Sequence, residues 1–306
     1  MLLLTCEMPP WLSKACLEKS IDFIDVRLSP LRFGRDLYVG LRTNNDTLFH
    51  RIQAFVVSDE EIRLEASMLA ANVRMHMREL EEYGRYQFAS LDDCLLYIGQ
   101  TPSDASLLAK DRGPLRCNDY ADRISQLCSG RRLIYKEHPL ASGFAQVERS
   151  LLEKITGQTP QQCLLNAYQI LSAHDDVELA GISSGLLQEA PWFGKTAHVF
   201  FRPFVPLVAS GGIGIANGYQ QVHFQSYLSP AFWCKVMAPE RAASFPIIAL
   251  QPLAHHHARE TFNQWWDYSK TLIWQRNLWM EGFERSGGGS LRQRIEALEQ
   301  KAAQPH

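Results

Sequence analysis

An α/β fold is what this sequence predicts, and three patterns carry the prediction. Short apolar runs alternate with longer amphipathic segments through the first hundred residues, and the alternation recurs between residues 119 and 193. Two of the apolar runs stop abruptly at polar turns, as strands do where a parallel sheet hands over to its helices. At 306 residues the chain can build two cores of ordinary size. The expected organisation is two α/β halves, 1–118 and 119–285, and a helical tail over 286–306.

In chain order, residues 21–28 alternate and read as a strand with one polar side. Residues 29–36 read as a turn leading into a helix start that gathers Arg32, Arg35 and Asp36, either a solvated first turn or an anion or sugar site. Phe55, Val56 and Val57 suggest another strand, and residues 59–83 carry apolar side chains at 62, 64, 68, 69, 73, 77 and 80, which predicts a long helix. Then comes Leu95-Leu96-Tyr97-Ile98, a buried strand by its continuous apolar character, bounded by Gly99 and Pro102. The turn behind it presents Gln100, Ser103, Asp104 and Ser106 at the strand's carboxyl end, where open α/β sheets keep their ligands. Asp104 has two readings there: the N-cap of a helix beginning at Ala105, or a site residue.

The second half repeats the habit with different loop chemistry. Residues 119–128 read as a helix, and 131–138 as a strand that delivers Lys136, Glu137 and His138 immediately before Pro139. Proline keeps the residue before it extended, so His138 sits on a fixed piece of backbone. Residues 147–155 read as a helix, and 177–185 as a strand ending in Ser183, Ser184 and Gly185. A helix opening over 186–193 would add backbone N–H groups and a positive dipole end, an anion cradle with Glu189 in reach of a ribose hydroxyl.

Composition limits the partners. With 31 basic against 33 acidic residues, nothing favours a nucleic-acid partner. Seven cysteines without a C-x-x-C pair fit reduced thiols, and neither a D-x-D nor a spaced His/Asp set marks a metal site, so no metal is expected. His255-His256-His257 reads as a surface segment. The opening Met1-Leu2-Leu3-Leu4 is too short for a signal segment, and no run approaches the roughly 20 apolar residues of a membrane span. A cytoplasmic protein is expected, its membrane association, if any, peripheral and at the inner face. Residues 210–218 read as a glycine-rich loop that does not follow the dinucleotide-binding pattern. Phe262, Trp265, Trp266, Leu272, Ile273 and Trp274 read as the core of a closing helix, with a membrane-surface face as the alternative. Residues 286–290 form a Gly/Ser linker, and Leu291, Ile295 and Leu298 step as coiled-coil positions that would need a partner helix.

Lys136-Glu137-His138-Pro139 together with Ser183-Ser184-Gly185 and Glu189-Ala190 resembles the two nucleotide-binding motifs of bacterial CMP-sugar glycosyltransferases. With Gly99-Gln100 and Asp104-Ala105-Ser106 the resemblance narrows to the retaining β-Kdo glycosyltransferases of the WbbB/KpsC type, from O-antigen and capsule polysaccharide synthesis. Arg32-Phe33 with Asp36 and Asn44-Asn45 is similar to an N-terminal motif of the same enzymes. The match runs over residues 20–235 as scattered motifs, and it departs from the family at Ser103, where capsule enzymes often carry a second acid.

The resemblance implies two Rossmann-like domains of GT-B type and transfer of Kdo from CMP-Kdo to a glycan or lipid-linked glycan acceptor, with retention. Asp104 would be the nucleophile and His138 its catalytic partner at the departing phosphate. Lys136, Glu137, Pro139, Ser183, Ser184, Gly185 and Glu189 would hold the CMP, and Gln100, Ser106, Arg32 and Arg35 the sugar. A sialyltransferase, an inverting Kdo transferase with Asp104 as general base, and a non-catalytic glycan-binding subunit are the alternatives.

Overall fold

A computed structural model of the chain describes residues 1–34, 36–82, 90–109, 113–138, 141, 143–208 and 218–241. The glycine-rich segment at 210–217, the aromatic segment from Phe262 to Trp274, the histidine run, the Gly/Ser linker and the coiled-coil-like tail lie outside the described residues, as do Arg35 and Pro139.

The elements run β1 (Leu2–Cys6), α1 (Pro10–Glu18), β2 (Asp22–Leu28), β3 (Tyr38–Thr43), α2 (Asp46–Gln53), α3 (Asp59–Glu82) and β4 (Cys94–Ile98). They continue with the short pair β5 (Leu108–Ala109) and β6 (Gly113–Pro114), then α4 (Ala121–Cys128), β7 (Arg132–Lys136), α5 (Phe144–Thr156), β8 (Gln161–Gln162), α6 (Ala167–Ser172) and β9 (Val177–Gly181). The last described elements are α7 (Leu186–Glu189), β10 (Ala197–Val199), β11 (Gln220–His223), α8 (Phe224–Leu228) and α9 (Pro230–Met237).

Two larger sheets organise these elements. The first has the order β1-β2-β3-β11 and is mixed: β1 and β2 run parallel, while β3 is antiparallel to both β2 and β11. Period-two alternation sends Ile24 and Val26 of β2 into a core with Leu48, Ile52, Phe232 and Val236 of α2 and α9. Phe23, on the opposite face, meets Met8 and Cys16 of the α1 side.

The second sheet is entirely parallel, in the order β10-β9-β4-β7-β8. Counted by chain order within the sheet this is 5-4-1-2-3, a doubly wound arrangement whose direction of winding reverses between β4 and β9. Helices cover both faces. Cys94, Leu96 and Ile98 of β4 enter a core with Ile62, Ala66, Leu69 and Val73 of α3 and Tyr168 and Leu171 of α6. Leu95 and Tyr97 point the other way, into a core with Ile124 of α4 and Leu152 of α5. A strand buried on both sides needs no polar face, which is why its sequence is an unbroken apolar run.

The first core also contains Leu31, Phe33 and Tyr38, so the segment between β2 and β3 packs against the second sheet's helices. Phe33 meets Phe193 edge to face at 5.2 Å between ring centroids. The expected division at residues 118 and 119 therefore falls within the second sheet, because its central strand β4 comes before that point and its neighbours β7 and β9 come after. Likewise β11, late in the chain, returns to the first sheet beside β3.

Three local expectations are corrected. No helix starts in the described part of 29–36; the chain runs on as a loop into β3, a strand the alternation had not revealed. Gly34 is required there, because a Cβ on it would lie 2.6 Å from the Tyr38 ring. Phe55–Val57 contributes only a bridge from Val56 to Val222, since α2 and α3 occupy the chain on either side. The helix expected over 186–193 is a single turn, α7, followed by a 3-10 turn at Ala190–Phe193, because Pro191 supplies no backbone N–H to continue the α ladder.

Leu96 tests the double burial of β4. Leu96→Ala is expected to cost about 2–5 kcal/mol of unfolding free energy, read from denaturant midpoints, because the fully buried site cannot collapse around the lost atoms.

Candidate functional site

The carboxyl ends of β4, β7 and β9 converge on a cavity of about 340 Å³. From β4 it takes Gly99, Gln100, Thr101 and Asp104, from β7 Lys136, Glu137 and His138, and from the turn after β9 Ser184, Gly185 and Glu189. Pro30 and Arg32 close it from the loop behind β2, and Asn166 and Phe204 complete its wall. This is the switch point of the doubly wound sheet, where the loops after β4 and β9 turn to opposite faces and leave a crevice between them.

Asp104 fulfils its capping role and remains in the site. Its Oδ1 accepts from the Ser106 N–H at 2.9 Å, capping the 3-10 turn Ala105–Leu107, while its Oδ2 accepts from Gln100 Nε2 at 3.0 Å. Gln100 is 4% exposed, and its Oε1 accepts from the Ser183 N–H at 2.8 Å. The same Nε2 lies 3.2 Å from Ser106 Oγ. Gln100 thus bridges the two turns on either side of the switch point.

The loop behind β2 is held by Glu189. One carboxylate oxygen of this buried residue accepts from the Arg32 N–H and, at 3.0 Å, from the Tyr168 hydroxyl. The Ser29 hydroxyl donates to Gln221 Oε1 and accepts from the Leu31 N–H, fixing the loop's other end. Glu189 also touches the cavity, and one of its two carboxylate oxygens is committed to this framework.

The remaining expected residues divide between lining and support. Lys136, Glu137, His138, Ser184, Gly185 and Arg32 line the cavity with Gln100, Asp104 and Glu189. Ser183 does not: it is fully buried, and its hydroxyl donates to the Arg202 carbonyl at 2.9 Å. Ser106 is buried beneath Gln100 and likewise supports the turn. The four-residue α7 is too short for the expected dipole to add much to an anion site.

Burial is the largest influence on the site's bases. It lowers the His138 pKa, with Arg32 and Lys136 pushing the same way and Asp104 opposing, so the imidazole is neutral near pH 7. Burial also lowers Lys136, opposed by Cys163 and Glu137.

Beneath the turn after β4 lies a second, enclosed network. The Tyr135 hydroxyl donates to Glu148 Oε2 at 2.8 Å, and a Cβ on Gly99 would sit 2.4 Å from that hydroxyl and 3.0 Å from the carboxylate oxygen. Burial raises the Glu148 pKa to about 7, against the lowering effect of its tyrosine hydrogen bonds and Arg116.

Pro30, Asn166 and Phe204 were not read from the sequence as site residues. Asn166 was findable as a helix start: it caps α6 in a capping box with Gln169, a signature visible in the sequence. Phe204 had no such signal, since it reaches the cavity from an irregular segment. Among the described residues no cluster of His, Cys, Asp or Glu is placed to hold a metal ion, and no helix is long and apolar enough to cross a membrane.

Fold and cavity together define an α/β protein with a polar crevice at the switch point of a parallel sheet. No protein-family model and no curated protein matches the sequence. Among solved structures the chain is similar to Thermosulfurimonas dismutans KpsC, beta Kdo 2,7 transferase, at a TM-score of 0.35 and 14% identity over 67% of this chain and 80% of that one. A likeness at that level is too low to establish a shared fold.

Two outcomes test the network under the site. Gly99→Ala should destabilise the fold, and adding Tyr135→Phe should recover part of the loss by removing the hydroxyl at 2.4 Å, both read by thermal melting. Because Glu148 has a raised folded-state pKa, the folded protein binds the proton more tightly than the unfolded chain. Stability should therefore fall as pH rises from about 4.5 to about 7 and then level off, and Glu148→Gln should remove most of that slope in denaturant titrations.

Proposed function

We propose that this chain is a glycosyltransferase that moves Kdo from CMP-Kdo to a glycan or lipid-linked glycan acceptor with retention of configuration, through an intermediate on Asp104. One observation carries the reading. The Asp104 carboxylate, two cationic side chains and a neutral imidazole meet in one cavity at a switch point, with Glu137 and Glu189 also in its lining, on the motif residues that resemble β-Kdo transferases. The GT-B arrangement of two Rossmann-like domains belongs to the same proposal.

A retaining transfer can proceed by two displacements, each inverting the anomeric carbon. In the first, an Asp104 oxygen attacks that carbon and the CMP phosphate leaves with the bonding pair. In the second, an acceptor hydroxyl displaces Asp104, which leaves as the free carboxylate with the bonding pair, and the hydroxyl proton passes to solvent. A phosphate is a competent leaving group without full protonation, so the neutral His138 serves better as a hydrogen-bond donor to it than as a strong acid. Arg32 and Lys136 suit the phosphate and the carboxylate of the acid sugar. Ser184 and Gly185 bring a hydroxyl and an unobstructed backbone, and Pro30 and Phe204 supply apolar surface beside them.

His138→Ala and Ser184→Ala should each weaken CMP binding by roughly 10- to 100-fold, the worth of a hydrogen bond to a charged group, in calorimetric titration. Unchanged affinity in both variants removes the nucleotide from this end of the cavity.

Asp104→Asn should keep the fold, since Asn Oδ1 still caps the turn from the Ser106 N–H while only the Gln100 hydrogen bond to the second oxygen is lost, yet abolish transfer, since an amide is a poor nucleophile. Supplied with CMP-Kdo and no acceptor, the wild-type protein should gain the mass of one Kdo residue on Asp104. An active Asn variant sinks the proposal. Inactivity of that variant without a trapped adduct favours the general-base alternative, which inversion at the product's anomeric centre, read by NMR, would establish.

A further inference from the structure

We propose that Gln100 is the positioning residue of this site, a tie that holds the Asp104 carboxylate in its working orientation and locks it to the turn after β9. The catalytic meaning rests on the transferase reading above; the tie itself rests on geometry alone. The side-chain amide can face only one way. Its Oε1 meets the Ser183 N–H, which can only donate, and its Nε2 meets the Asp104 carboxylate, which when ionised can only accept. The two contacts, at 2.8 and 3.0 Å, come from turns behind different strands, β4 and β9, and Gln100 is all but fully buried between them.

No other common side chain of this size does both tasks. Glutamate would place a second carboxylate oxygen about 3 Å from Asp104 Oδ2, close enough for strong like-charge repulsion. Methionine would keep the bulk but leave the Ser183 N–H and one Asp104 oxygen without these partners. With the amide in place, Asp104 Oδ1 is held by the Ser106 N–H and Oδ2 by Gln100, so the carboxylate plane is fixed from both ends. A group that must meet a reacting carbon is sensitive to displacements on the order of 1 Å, and this is the freedom the tie removes. Gln100 therefore acts through Asp104 rather than through the sugar, in contrast to its expected role as a sugar ligand.

The experiment has two arms on the full chain, with Gln100→Met and Gln100→Glu. In the first, amide hydrogen exchange followed by NMR without any ligand should show the Ser183 amide exchanging at least tenfold faster in Gln100→Met, which removes its acceptor, and the Ser106 amide at least tenfold faster in both variants, which release Asp104, with the amides of β2 and β3 unchanged. In the second, CMP release from CMP-Kdo by Gln100→Glu should show kcat reduced at least 100-fold while the donor KM stays within threefold. A merely structural glutamine would lower the melting temperature and leave both constants of the folded enzyme unchanged.

Unaltered exchange at Ser183 and Ser106 overturns the tie. Faster exchange with wild-type kcat overturns the positioning role. If the wild-type protein releases no CMP from CMP-Kdo, the transferase reading fails, and the exchange arm still decides whether Gln100 ties the two turns together. If Gln100→Glu does not fold, the same kcat and KM comparison on Gln100→Met decides the positioning role.

Discussion

The burial of β4 on both faces is the constraint from which the rest of the architecture follows. Cys94, Leu96 and Ile98 are committed to one core and Leu95 and Tyr97 to the other, so β4 can sit only at the centre of a sheet with helices on each side. With β7 on one flank and β9 on the other, the chain must reverse its winding direction beside β4. The crevice at that reversal is open because the connecting segments leave it in opposite directions. The polar turn of Gly99, Gln100 and Asp104 is set at its mouth by the strand that precedes it.

The polar groups around the crevice are arranged in two tiers with different tasks. In the upper tier Asp104, Arg32, Lys136 and His138 face the cavity. In the lower tier Gln100, Ser106, Ser183 and Glu189 hydrogen-bond to backbone N–H and carbonyl groups and to one another, which keeps buried polar atoms from being stranded. Glu148 lies deeper still, and its hydrogen bond from Tyr135 offsets only part of the cost of burying a carboxylate. The close approach of that pair to Gly99 explains why the residue directly after the strand carries no side chain.

The first sheet contributes to the site through one loop. Phe33 in the common core, Ser29 bonded to Gln221, and the Arg32 N–H bonded to Glu189 fix that loop at three points, so Arg32 is carried to the cavity by backbone held from both sheets. Asp36, adjacent to the same segment, accepts instead from the Gln225 N–H and lies 3.5 Å from His223, away from the crevice.

The sequence by itself determined the elements whose pattern is local. The apolar run of β4, the 3.6-residue period of α3, and the strands β7 and β9 were all legible, because double burial and amphipathic packing write themselves into consecutive residues, though β7 ends at Lys136 and β9 at Gly181, short of the expected 138 and 185. The positions of Asp104, Lys136, His138, Ser184 and Gly185 in the cavity were legible for the same reason, each lying at or within a short turn after the carboxyl end of such a strand. Only the tertiary structure decided which strands are neighbours, since the pairing of β4 with β7 and β9, and of β11 with β3, joins residues far apart in the chain. That pairing separated Ser183 and Ser106, which support the site, from Ser184, which lines it; the sequence gives all three a serine hydroxyl beside a strand end. It also made Gln100 a bridge between two turns, because its amide meets a partner 83 residues away that no local pattern could supply.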